Sequence, residues 1–274
     1  MIWTLYSLLL YQCVNGYGFT FKSNHIIHYD QQLERIFFSK NDFLNENLHN
    51  VKEKDIISIS PGGWHGFYMF GVTTYISNHY DLTNYVFTGA SAGAWTSLFM
   101  SYKYDIYELL NELFRYPIPT TKLKQTESYI KHRTLELCNS NDFDFKRVYI
   151  GVTSFHKYHV KTHIFNNFRN LEDALDCCIG SSHIPFITGN LLNIYNGMNT
   201  FDGGFSAEPY LQIKKPKLHI TPDIWNKGNI SNFESFYRSF VPDRNLPCIK
   251  TIFEQGYQDS KTNKHHLDLL FERK

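Results

Sequence analysis

Three short segments carry the side chains best suited to do chemistry. The first, Gly89-Ala90-Ser91-Ala92-Gly93, is a G-x-S-x-G sequence between residues that read as strand and residues that read as helix. In that setting a tight turn holds the serine in a strained, exposed position, and its small neighbours let the backbone pass without clashing. The helix that follows turns its first N–H groups and the positive end of its dipole toward the serine oxygen. The chemistry implied is nucleophilic attack by a hydroxyl. The same five residues also describe a plain strand-to-helix turn whose serine caps the helix. The second segment is Ser60-Pro61-Gly62-Gly63-Trp64-His65-Gly66. Consecutive glycines after a strand can turn backbone N–H groups inward, where they would hold the oxyanion of an acyl-transfer intermediate. They would serve an ordinary turn equally well. The third, Asp202-Gly203-Gly204, places a carboxylate at a strand end, able to take a proton from a serine hydroxyl or to make an Asp-Gly turn.

These segments need a scaffold that brings them together. Asp55 to Ser60 is short, apolar and β-branched and runs into Pro61-Gly62-Gly63, the pattern of a buried strand ending in a glycine turn. Phe67 to Ile76 reads as a helix, weakened by Gly71. Tyr85 to Thr88 reads as a second strand, stopping at Gly89, and Ala92 to Tyr102 as the next helix. Two strand–turn–helix units in succession predict an α/β fold with a mainly parallel central sheet flanked by helices. Gly63 and Ser91 lie 28 residues apart, room for one helix and one strand, so adjacent parallel strands would bring both turns to their C-terminal ends. Further along, Asp105–Tyr116 reads as helix, ended by Pro117, and residues 117–146 are polar and poorly patterned. Strands are expected at Val148–Val152, Thr162–Phe165 and Leu218–Ile220, and helices at Leu171–Cys178 and Ile249–Gln258. Ile194 to Phe201 leads into Asp202.

The three segments, in this order, resemble the patatin-like phospholipase family, which has a glycine-rich oxyanion motif, then G-x-S-x-G, then D-G-G or D-G-A. Ile179-Gly180-Ser181-Ser182-His183-Ile184-Pro185 is similar to the family's segment before the aspartate, and Glu254-Gln255-Gly256-Tyr257 is loosely similar to its C-terminal helix. The resemblance spans about residues 50 to 260. It implies a three-layer α/β/α fold and a Ser–Asp dyad, with Ser91 as nucleophile and Asp202 as base. It implies an oxyanion hole from the N–H groups of Gly62, Gly63 and Ala92, with Gly66, Gly89, Gly93, Gly203 and Gly204 shaping the turns. The implied reaction is hydrolysis of a fatty-acyl ester, in a phospholipid or a neutral lipid, through an acyl-enzyme and with no cofactor or metal. Pro61, Ser60 and His65 depart from the family pattern where a glycine, an aspartate and a basic residue are usual. Proline has no N–H to donate, so the donor set of the oxyanion hole is the part of the resemblance most affected.

Two other functions fit parts of the sequence. An α/β-hydrolase triad in the order Ser, Asp, His would use Ser91, Asp202 and then His219 or His265. A non-catalytic lipid-binding module would keep the fold without the reaction. His156, His159 and His163 have ligand-like spacing but fall across an expected hairpin, so surface or packing roles suit them, as they do His25 and His28. No segment reads as a calcium loop.

Composition bounds the rest. The chain has 274 residues, enough for one large domain or two small ones, and no Pro/Gly/Ser-rich linker divides it. Aromatics at 17% with a formal net charge of +1 argue against disorder and give no footprint for nucleic acid. The rings suit an acyl-chain pocket and a rim touching a membrane surface, and equally an ordinary core. Five cysteines (Cys13, Cys138, Cys177, Cys178, Cys248) with no C-x-x-C pair read as buried thiols. Met1 to Tyr11 has the length of a signal-peptide core, with Gly16 and Gly18 at a plausible cleavage site but no basic residue before it. Residues 1–18 are thus either a leader or an apolar segment. A leader would direct the chain to the exterior or an endomembrane lumen and expose the sequon Asn229-Ile230-Ser231; otherwise a cytoplasmic, membrane-associated protein is expected. Residues 19–50 form an N-terminal extension with helix expected around 30–38 and 42–49, residues 51–260 the acyl-hydrolase domain, and 261–274 a C-terminal tail.

Overall fold

Strand β1 (Asp55–Ile59) buries every residue after Asp55, and β2 (Tyr85–Ala90) is buried throughout. Burial on both faces is what a short run without alternation requires of a central strand. A computed structural model describes residues 51–119, 122–156, 159–206, 209–225 and 248–274. The apolar segment 1–18, the extension 19–50 with its expected helices, Cys13, His25, His28 and the sequon at 229–231 lie outside the described residues.

The fold is α/β, built on a mixed, mostly parallel seven-stranded sheet flanked by helices. The remaining strands are β3 (Val148–His156), β4 (His159–Phe165), β5 (Asn193–Tyr195), β6 (Met198–Phe201) and β7 (Leu218–Ile220). Their order is β5-β6-β3-β2-β1-β7, with β4 also on β3. The run β7-β1-β2-β3 is parallel, whereas β4, β5 and β6 join antiparallel.

Register explains how the sheet positions a site. β2 pairs with β3 from Phe87↔Val148 to Ala90↔Gly151. β6 pairs with β3 at Thr153↔Phe201 and Ser154↔Thr200. β4 runs along Ile150–His156 and therefore occupies the other edge of β3 beside both partners. Thus β2 and β6 share one edge of β3 and point at each other. Ser91 follows the end of β2 and Asp202 the end of β6, so both emerge beside Val152. Asp202 arrives on an antiparallel strand rather than at the end of a parallel one.

The helices are α1 (Gly66–His79), α2 (Ala92–Phe99), α3 (Ile106–Leu113), α4 (Leu123–Leu137), α5 (Leu171–Ser181), α6 (Ile249–Thr262) and α7 (Lys264–Asp268). Ile57, Ile59, Phe87, Ile150 and Val152 face the main core, where they meet side chains such as Met69 and Val72 of α1 and Leu98 of α2. On the opposite face Ile56, Val86 and Tyr149 pack with Val51 and Leu211. Residues 261–274 are built into the domain. Leu267 and Phe271 are buried with Tyr80 and Tyr85, and Tyr80 donates to Asp268 at 2.8 Å.

Helix α4 occupies part of the stretch 117–146 that showed no pattern. Its inward positions include Thr126 and Thr134, which are buried, and Glu127. Polar residues on the inner face erase the apolar stripe by which a helix is recognised. Gly71, which weakens the helical signal of α1, has a packing reason. A Cβ there would run into the Phe253 carbonyl of α6, and one on Gly256 into the Tyr68 carbonyl of α1. The two helices cross glycine against backbone. Gly71→Ala therefore loses more by overpacking than the ~1 kcal/mol it gains in helix propensity. The net expectation is destabilisation of about 1–3 kcal/mol in a urea unfolding curve; a stabilised variant would contradict the close crossing.

Candidate active site

Ser91 ends β2 in a backbone conformation that L-residues rarely adopt, with φ 55° and ψ −125°. The strain is tolerated because every neighbour is small. A Cβ on Gly93 would strike the Ile59 carbonyl at the end of β1, and one on Gly203 would lie 2.6 Å from the Ala90 Cβ. The Ser91 N–H donates to Ser181 Oγ at 2.8 Å, and the Ser181 hydroxyl donates to the Gly151 carbonyl at 2.6 Å. Ser181, at the end of α5, thus ties the turn to β3.

The structure brings Ser91 and Asp202 together: Ser91 Oγ donates to Asp202 Oδ2 at 2.6 Å. The other carboxylate oxygen, Oδ1, accepts from the Gly204 N–H at 2.6 Å, and the Asp202 N–H donates to the His183 carbonyl at 2.8 Å. The second glycine of the third motif therefore orients the carboxylate. Ser91 is 3% exposed and Asp202 4%. Burial is the largest influence on Asp202, and the Ser91 and Gly204 hydrogen bonds only partly oppose it, so its pKa rises from 3.8 to about 6. At neutral pH Asp202 is an ionised base, stronger than an ordinary carboxylate.

Both residues sit on the wall of a cavity of about 540 Å³, its mouth included. Gly63, Gly66 and Ala92 line the same end, while Phe67, Phe70, Trp95, Leu123, Ile130 and Ile184 make the rest of the wall largely apolar. Gly62 is set back from the lining: a Cβ there would meet the Met69 side chain at 2.8 Å and Pro222 at 3.2 Å. Of the three expected oxyanion donors, Gly63 and Ala92 line the cavity, and Gly62 does not. Gly63 has φ 51°, the glycine-favouring region, and opens a one-turn helix (Gly63–His65) leading into α1. A Cβ on Gly66 would lie 2.6 Å from the Ala92 Cβ, so the N-termini of α1 and α2 meet at the cavity. Two helix N-termini brought close together favour negative charge nearby.

The departures from the family pattern have visible places. Pro61 packs against the Asp202 turn, since a Cβ on Gly204 would lie 3.2 Å from the proline ring. His65 has its pKa lowered by burial, partly offset by contact with the Gly62 backbone, so it brings no positive charge at neutral pH. His219 bonds through Nδ1 to Ser58 Oγ at 2.7 Å, and His265 and His266 pack on each other with Trp225 beside them. Among the described residues, no hydrogen bond of Ser91 or Asp202 runs to a histidine side chain. A triad through His219 or His265 is therefore unsupported. His163 bonds Ser154 at 2.7 Å. Among the described residues no three His, Cys, Asp or Glu groups are placed to hold a metal ion. Cys138, Cys177 and Cys178 are buried thiols, while Cys248 is exposed.

Sequence reasoning missed Glu127, which faces the cavity from α4. Burial, with the charge of Asp202 adding and a contact with the Ser182 hydroxyl opposing, raises its pKa from 4.5 to about 8. Lys131, one turn further on and the usual partner for such a glutamate, is bonded to Asp176 at 2.7 Å and Glu172 at 3.3 Å instead. Glu127 is thus mostly an uncharged acid at pH 7. Ser182 accepts from Trp95 Nε1 at 3.2 Å and donates to the Cys178 carbonyl at 2.9 Å, holding the indole in the wall. No motif signalled Glu127; a lone glutamate on a polar helix looks like surface.

No protein-family model matches the chain, and no curated protein matches its sequence.

The raised pKa of Asp202 has a stability consequence. In the unfolded chain it ionises near 3.8, in the folded chain near 6, so the folded state binds the extra proton between those values. Stability from this group falls as pH rises through that window, by roughly 3 kcal/mol in all. Asp202→Asn is expected to be the more stable protein above pH 6, with the advantage shrinking toward pH 3.8. Thermal unfolding of both proteins across that range checks it; an equal or lower Tm for Asp202→Asn at neutral pH would reject the desolvated base.

Proposed function

We propose that this protein is a patatin-like lipid acyl hydrolase that cleaves a fatty-acyl ester, in a phospholipid or a neutral lipid, with Ser91 and Asp202 as its dyad. The observation that carries the reading is the 2.6 Å hydrogen bond from a strained, buried serine to a desolvated aspartate at the end of an apolar cavity. An acyl chain matches the cavity wall, and the ester would lie at its polar end.

The reaction follows from the groups present. Asp202 takes the proton of Ser91 Oγ as that oxygen attacks the ester carbonyl, giving a tetrahedral oxyanion. The N–H groups of Gly63 and Ala92, backed by the N-termini of α1 and α2, stabilise the developing charge. The intermediate collapses, the bond to the leaving alcohol breaks, and Asp202 returns the proton to that alcohol. A water then attacks the acyl-enzyme, with Asp202 again taking the proton, and Ser91 regains it as the fatty acid leaves. A neutral Glu127 leaves Asp202 as the only full negative charge of the two. Once ionised, Glu127 would oppose the oxyanion.

Ser91→Ala and Asp202→Asn are each expected to lower fatty-acid release from a mixed phospholipid and triacylglycerol emulsion by roughly 10³-fold or more, with folding intact. EDTA is expected to leave wild-type release unchanged. Activity retained in Ser91→Ala would end the dyad reading, and a strict calcium requirement would count against it.

The pH profile tests the two carboxyl groups together. Rate is expected to climb as Asp202 ionises near pH 6 and to fall as Glu127 ionises near pH 8. Glu127→Gln should keep the acid limb and lose the alkaline one. An alkaline limb unchanged in Glu127→Gln would remove Glu127 from the account.

A further inference from the structure

Residues 183–194 form one wall of the cavity and then turn outward. Ile184 and Thr188 line the cavity beside Ser91, and the His183 carbonyl accepts from the Asp202 N–H, so this loop is fastened to the dyad. It is wound around the His183 ring, which is buried against the backbone of Asn190 and Leu191, with Gly189 pressed so close that a Cβ would lie 2.9 Å from the ring. Phe186 at 61% exposure and Leu192 at 49% stand out from the loop, and Ile194 at 70% from β5, which follows it directly. From His183 to Ile194 the chain contains no Asp, Glu, Lys or Arg. Phe186 also has φ 65°, a conformation a bulky residue rarely adopts, while its ring stands in solvent. Two exposed lysines, Lys122 and Lys124, flank Leu123 of the cavity wall, and the charge of Lys124 is felt at His183.

We propose that this loop is a lipid-seating lip, in which Phe186, Leu192 and Ile194 enter the interfacial zone of a membrane containing anionic phospholipid while Lys122 and Lys124 meet its headgroups. The inference rests on reading the cavity as a lipid site and adds the surface through which lipid reaches it. An uncharged loop enters a bilayer interface without desolvating an ion. Its apolar groups are already exposed, so transfer into lipid gains burial at little conformational cost. Each lysine near an anionic surface adds about fivefold to partitioning. Because Ile184 and Thr188 lie on the inner side of the same loop, a seated lip opens the cavity directly onto lipid.

The test uses full-length Ser91→Ala protein, which leaves vesicles intact, in flotation with phosphatidylcholine vesicles and with phosphatidylcholine–phosphatidylglycerol vesicles. The parent is expected to float with the anionic vesicles. Adding Phe186→Gly and Leu192→Ser should lower partitioning about tenfold or more. Glycine accepts the backbone conformation of residue 186 without strain, so the Tm of Phe186→Gly should hold or rise and lost binding will not reflect unfolding. Lys122→Gln with Lys124→Gln should weaken binding to anionic vesicles and flatten its salt dependence. With Ser91 restored, all lip variants should retain hydrolysis of a water-soluble short-chain ester. Failure of the parent to bind vesicles, or undiminished binding by the Phe186/Leu192 variant, overturns the lip. So does sedimentation showing that the variant breaks a dimer, which would make the patch a contact between copies. Lip-dependent flotation without hydrolysis of any ester would sink the dyad reading and leave the lip standing. Hydrolysis of the soluble ester without flotation would do the reverse.

Discussion

Strand β3 pairs with three neighbours although a strand has only two edges. β4 takes one edge along most of its length, so β2 and β6 must divide the other, and they approach it from opposite directions. Neither can pass Val152 without colliding with the other. Each chain therefore leaves the sheet there, one as the Ser91 turn and one as the Asp202 turn. The 2.6 Å contact between these side chains follows from that head-to-head meeting. It also explains why the surrounding positions are glycine or alanine. Two turns, the end of β1 and the start of α2 crowd into one place, and Gly93, Gly203 and Ala90 are sites where further atoms would meet backbone or another Cβ.

Crowding has an electrostatic effect. The packing that brings the turns together also removes water from Asp202 and leaves it few compensating bonds, one from Ser91 and one from the Gly204 backbone. A carboxylate in that position is a stronger base than one in water, and the folded protein is less stable for it. Glu127, partly buried on another wall, is raised by burial and by the charge of Asp202, with its Ser182 contact opposing, and remains protonated to higher pH. Of these two carboxyl groups on one cavity, the first is mostly ionised and the second mostly protonated at neutral pH. The stability cost and the chemical capacity come from one physical cause.

Much of this was legible in the sequence because it depends on local rules. A strand that ends at glycine and is followed by a helix is written in consecutive residues, and Gly89–Gly93 and Ser60–Gly66 were readable on that basis. So was the α/β class, whereas the pairing of Ser91 with Asp202 was expected from the resemblance to patatin-like phospholipases, because Asp202-Gly203-Gly204 by itself reads equally well as a turn. What escaped depends on contacts between distant segments. The antiparallel delivery of Asp202 rests on β4 competing for β3, which no residue near 202 signals. Helix α4 turns Thr126, Thr134 and Glu127 inward beside Leu123 and Ile130, so the continuous apolar stripe that marks a helix was missing. Gly71 looked like a flaw in α1 and is the point at which α6 crosses it.

Pro61 and His65 look at first like losses from an oxyanion-binding turn, since one lacks an N–H and the other is neutral. The geometry gives Pro61 a packing place: its ring lies against the Asp202 turn at Gly204. His65, neutral because burial lowers its pKa, brings no positive charge to this turn. With a neutral histidine there, negative charge at the polar end of the cavity is met by fixed dipoles instead. These are the N-termini of α1 and α2, brought within van der Waals contact because residue 66 is glycine. Dipoles of this kind do not titrate, and they need no reorganisation as charge develops. In the proposed reaction this stabilisation would therefore hold across the pH range in which Asp202 is ionised and Glu127 is not.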